Sequence, residues 1–145
     1  MSFIDDGVAK RKEIQQQAKL IAEQAPKVYE DLWDRVNRFI NEAKRKGFLL
    51  STNGSLHNKL VELRIPAKYP ELADHRDHFR LTLDSPKGRI YAKGQSGVNF
   101  EFVLDVCGDG VVCLKWNGGR IETEDAAILI LKQFLFSDVK AASAS

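Results

Sequence analysis

The sequence predicts an α+β fold, and three observations predict it. Apolar residues recur three or four apart through the first third of the chain, alternate with period two through the middle, and close in a nearly continuous run behind acidic residues. The expected architecture is a long N-terminal helix or helix pair, an antiparallel meander of about five strands, and a C-terminal helix packed on the apolar sheet face. The chain of 145 residues reads as a single domain 1–145, with a helical arm over 1–47, sheet over 48–121, helix over 122–138 and a frayed tail over 139–145.

The helical stripe runs through Ile14, Ala18, Ile21, Ala25, Val28, Leu32, Val36, Phe39 and Ala43. Pro26 interrupts it without shifting its phase, which predicts either a kinked helix or two helices with Pro26 opening the second. Gly47 supplies the stop, and Lys44, Arg45 and Lys46 sit where the helix dipole favours cations.

Beyond Gly47 the period changes. "NKLVELRIP" sets Val61, Leu63 and Ile65 on one face and ends at Pro66; "FLLSTNGSL" before it suggests a short hairpin turning at Asn53-Gly54. The segments "HFRLTLD", "GRIYAK", "GVNFEFVLDV" and "VVCLKW" follow as strands separated by glycine turns. Matching apolar faces sets Leu83 opposite Ile90, Leu81 opposite Ala92 and Asp84 opposite Arg89. A three-residue turn at Gly108-Asp109-Gly110 pairs Val106 with Val112 and Leu104 with Leu114, and Gly110 supplies the left-handed conformation such a turn needs.

That register bears on "CGDGVVC", where Cys107 and Cys113 become diagonal neighbours on the outer face. Diagonal Cβ atoms stand roughly 7 Å apart against about 3.8 Å in a disulfide, so unpaired thiols are expected. Cys-x5-Cys matches no zinc spacing. At the end of the chain, Thr123 is placed to cap a helix that opens with Glu124 and Asp125. Its apolar residues cover nearly the whole circumference, which requires burial on more than one side.

Composition excludes more than it assigns. With 22 Lys and Arg against 20 Asp and Glu, the formal charge of +2 demands no polyanionic partner. The apolar fraction of 43% suits a globular chain, and no run is long enough to span a bilayer, so no membrane association and a cytoplasmic location are expected. Glycine pairs and Ser96 lack the contexts of a phosphate loop or a nucleophile elbow, so no catalytic residue and no cofactor are assigned.

Two clusters are candidate sites. "DHRDH" offers Asp74, His75, Asp77 and His78 as metal ligands in what reads as a loop, and a metal-dependent enzyme would use them. The outer sheet face gathers Arg64, Arg80, Arg89, Tyr91, Lys93 and Lys115, a basic and aromatic set that could hold nucleic acid, although Glu62, Asp84, Glu101 and Asp105 share that face. The remaining feature is surplus apolar surface. The N-terminal run reaches roughly 60 Å if straight, and Phe3, Ile4, Val8, Ile14 and Ile21 have little sheet left to cover. Those features together favour a non-enzymatic interaction or adaptor domain with a protein partner, homodimeric through its helices.

Overall fold

The computed structural model describes residues 2–64, 76–95 and 98–144. It is α+β. Helix α1 (Phe3–Arg45) leads into strands β1 (Leu49–Ser55), β2 (Asn58–Arg64), β3 (Arg76–Asp84), β4 (Arg89–Gly94), β5 (Asn99–Val106), β6 (Val112–Trp116) and β7 (Gly119–Ile121), followed by helix α2 (Thr123–Ala144). The strands form one antiparallel sheet in the order of the chain, from β1 at one edge to β7 at the other. Among the described residues no helix is long and apolar enough to cross a membrane.

Helix α1 runs unbroken through Pro26. Its stripe accounts for the continuity: Ala25, Tyr29, Leu32, Val36, Ile40 and Ala43 are all buried, and burying that row along one face outweighs the bond the proline cannot make. Ser2 caps the start by accepting the Asp5 N–H. At the other end, Gly47 takes φ 105°, the Gly47 N–H donates to the Lys44 carbonyl and the Phe48 N–H to the Ala43 carbonyl, the paired bonds of a Schellman stop.

Among the described residues the sheet has seven strands, not about five. The additional β1 holds Asn53 and Gly54 inside the strand rather than at a turn. The chain reverses at Leu56-His57, which pairs Thr52 with Val61 and Leu50 with Leu63 and keeps the apolar residues on one face. The additional β7 follows a tight turn in which Asn117 and Gly118 both take positive φ, the conformation of a type I′ hairpin. Ile65 and Pro66 lie outside the described residues.

The central registers agree with the facing argument. Leu83 pairs with Ile90, Leu81 with Ala92, Asp84 with Arg89, Leu104 with Leu114 and Val106 with Val112, and Gly110 has φ 76°. The expectation of unpaired thiols is overturned: Cys107 and Cys113 form a disulfide. They are diagonal, since Cys113 pairs with Asp105 and the Cys107 N–H donates to the Val111 carbonyl. At this twisted end of the hairpin their Cα atoms are nonetheless only 6.1 Å apart, within the range a disulfide spans.

One apolar cluster joins Leu32, Val36 and Ile40 of α1, Val61, Phe79, Leu81, Ile90, Phe102 and Leu114 of the sheet, and Ala126, Ala127, Ile130 and Phe134 of α2. The Phe134 ring meets the Phe79 ring edge-on with centroids 4.7 Å apart. Thr123 does not act as a free cap; its hydroxyl donates to the Asp31 carboxylate on α1. Residues 139–144, expected to fray, continue α2 beyond a break in helical geometry at Phe136, in keeping with the high helix propensity of the alanines in "KAASA".

Candidate functional site

Pairing sorts the side chains of the middle strands into two sets. One contains the apolar residues named above. The other contains Leu49, Ser51 and Asn53 of β1, Asn58, Leu60, Glu62 and Arg64 of β2, His78, Arg80 and Thr82 of β3, Arg89, Tyr91 and Lys93 of β4, Glu101 and Asp105 of β5, and Lys115 of β6. None of these is buried, although Cys113, which shares the face opposite Asp105, is.

The six basic and aromatic residues expected on this face do occupy it, but the structure divides them. Arg89 Nε lies 3.3 Å from Glu101 Oε1, the carboxylate one strand further on, rather than engaging Asp84 opposite. Asp84 instead accepts the Lys87 N–H and closes the β3–β4 turn. Lys115 Nζ lies 3.0 Å from Asp105 Oδ2, and that hydrogen bond holds the Asp105 carboxyl below the usual carboxylate range. At this end of the sheet Arg120 also pairs, 3.2 Å from Asp109. Exposed pairs of this kind add little stability, but they cancel the field their cations would project.

The opposite quarter of the face is different. Arg80 stands directly across from Lys93, and Lys93 Nζ sits 4.9 Å from the centre of the Tyr91 ring. Arg80 Nη1 donates to Asn58 Oδ1 at 3.1 Å, a neutral partner, and has no ion pair among the described residues. Arg64, one strand from the edge, is exposed and has no ion pair among the described residues. Arg64 and Arg80 line an open concavity of about 1010 Å³ together with Lys44, His78 and Glu62, floored by Phe48, Leu49, Leu50, Leu60 and Leu63. Composition gave no hint of this local excess, because the balancing acids are spent elsewhere.

The metal candidates separate. Strand β3 begins at Arg76, so Asp77 and His78 are strand residues, not loop residues. Asp77 pairs with Leu63 and is buried at 4% exposure, with an oxygen accepting the His78 N–H. His78 pairs with Glu62 on the other face and is exposed. Adjacent strand residues point to opposite sides, so these two cannot close on one ion. Asp74 and His75 lie outside the described residues. Among the described residues no group of three or more His, Cys, Asp or Glu side chains is placed to hold a metal.

Sequence reasoning named Lys44 as a helix-terminal cation and His78 as a metal candidate, but missed that both line this concavity and missed its apolar floor beside β1. The signal available was β1 itself, "LLSTNGS", a strand without a single charge next to strands full of them. Comparisons with family models, with curated proteins and with solved structures find no match for this chain.

Proposed function

We propose that the protein is a non-enzymatic interaction domain that pairs with a second copy through the first turns of α1 and receives a partner protein at its sheet. In this reading both helices cover the apolar side of the sheet, which leaves the polar side and the edges available. The observation that carries it is the arm. Residues 2–19 are all exposed, including Phe3 at 84%, Ile4 at 61%, Val8 at 49% and Ile14 at 57%. A helix of this length that packs on nothing is marginal in water, and its apolar side chains need cover.

The charge pattern suits a second copy. Antiparallel pairing of two arms about the Val8-Ala9 bond sets Asp5 and Asp6 beside the partner copy's Lys12 and Arg11, and Phe3 beside its Ile14. Light scattering on the full chain tests this. A dimer is expected at micromolar concentration, converted to monomer by Ile4→Asp with Val8→Asp; a monomeric wild type overturns the reading.

A second reading rests on the Arg80 and Lys93 pair beside Tyr91, which resembles the basic and aromatic grouping of single-strand nucleic-acid platforms. It requires binding to a labelled single strand that weakens steeply with salt. Loss of that binding in Arg80→Ala with Lys93→Ala supports it, and no measurable binding removes it.

A further inference from the structure

Strand β1 is an edge strand, and among the described residues nothing pairs with its outer side or defends it. Natural edges are blunted by charge, proline, brevity or bulges. The edge strand β7 is only three residues long and carries Arg120. By contrast, β1 spans seven residues with neither a charged residue nor a proline, and residues 51–55 are exposed. Its polar groups on the free side can be identified. The Leu83 N–H donates to the His57 carbonyl, which makes Asn58 and Thr82 a non-bonded pair, so Asn58 directs its backbone groups towards Ser55 of β1. Alternation from there binds Ser55, Asn53, Ser51 and Leu49 to β2 and turns the backbone groups of Thr52 and Leu50 outward, whereas Gly54, at φ 119°, already donates its N–H to Asn53 Oδ1.

The surroundings of this edge select an occupant. On one side, Phe48 and Leu50 share a face, and Phe136, 44% exposed, meets the Phe48 ring edge-on at 6.3 Å. On the other side lie Arg64, His78 and Arg80; Lys44, at the end of α1, lines the same concavity, and Glu62 is its one exposed carboxylate among the described residues. We propose that the free edge of β1 is a docking site for an extended acidic segment of a partner protein, one whose residues alternate apolar and carboxylate side chains. The segment adds as an eighth strand. Its backbone pairs with Leu50 and Thr52, its apolar side chains meet Phe48, Leu50 and Phe136, and its carboxylates face Arg64. Two copies of β1 paired about a twofold suit the site less well, because the far end of the strand, Asn53 to Ser55, brings no carboxylate to the basic end.

This rests on the interaction-domain reading and is tested separately from the arm. The probe is a fluorescein-labelled peptide, as long as β1, alternating valine and glutamate, with a valine and lysine peptide as control, titrated against the full chain by fluorescence anisotropy. The valine-glutamate peptide is expected to bind at least about tenfold more tightly than the control. Thr52→Pro removes one outward N–H, leaves the β1–β2 ladder intact, and should weaken binding at least about tenfold. Arg64→Glu should weaken the acidic peptide and improve the basic one. Equal binding of the two peptides, no binding of either, or unchanged binding by Thr52→Pro overturns the proposal. So does a change of mass in Thr52→Pro by light scattering, which gives the edge to a second copy. A monomer that binds the acidic peptide defeats the dimer alone; a dimer that ignores it defeats the docking edge alone.

Discussion

Tyr29 is a single residue that ties three parts of the molecule together. It sits fully buried on α1, its hydroxyl donates to the Leu81 carbonyl of β3, and its ring meets His57, in the β1–β2 turn, edge-on at 5.7 Å. Burial pushes its hydroxyl up to about 12, against a partial offset from the Lys59 backbone N–H. The folded state therefore favours the neutral phenol more than the unfolded state does. Tyr29 contributes stability that is complete below about pH 10, the unfolded value, and is lost as pH rises through 10 towards 12. Alkaline unfolding followed by circular dichroism should show a loss in that window, and Tyr29→Phe should remove Tyr29's share of it while costing about 1 kcal/mol at neutral pH. The cysteines make a second residue-scale prediction. A short closed loop gives a disulfide modest leverage, so Cys113→Ser or reduction should lower the unfolding free energy by about 2 kcal/mol. Thiol titration of the unfolded chain before reduction should find neither of its 2 cysteines free.

At the scale of elements, strand register was legible wherever both faces of a strand were chemically distinct. Leu104 with Leu114 and Leu83 with Ile90 could be matched because a one-residue slip would have put Lys115 or Asp84 into the core. It was not legible for β1 and β7, where polar uncharged residues or mere brevity erase the contrast, and those are the two edges. The docking edge was hidden for the same physical reason that makes it available: no charge marks either side of it. The disulfide was missed because ideal diagonal spacing ignores the twist at a hairpin end. Pro26 gave two alternatives in the sequence, and α1 continues through it. It stands next to Ala25, the first fully buried residue of α1. Because the helix there is continuous, Pro26→Ala restores a backbone bond and should stabilise the fold by roughly 1–3 kcal/mol in urea unfolding. No gain would mean that the two helical pieces behave independently.

For the whole molecule, the central fact is that α1 belongs to the core for only part of its length. From Ala25 onward it supplies buried side chains at every turn, whereas before Leu20 it supplies none. The half-buried Leu20 and Ile21 are the transition, with a methyl of Ile21 close enough to Gly88 that a Cβ added there would stand 3.2 Å from it. Removing residues 2–19 should therefore leave the thermal midpoint of the body within a few degrees of the full chain, since no core contact is lost. The arm itself must draw its helical order from outside its own domain, because a segment of about 25 Å with exposed phenylalanine and isoleucine has too little internal support. Dilution should then separate two kinds of helix. As the concentration falls below the dissociation constant of the proposed dimer, far-ultraviolet ellipticity should drop by the arm's share while the near-ultraviolet signal of buried Tyr29, at the core of the body, stays constant. Ile4→Asp with Val8→Asp should show the diluted spectrum at every concentration. Ellipticity independent of concentration in both proteins would mean that the arm holds its helix alone, and its apolar face would then need an occupant other than a second copy.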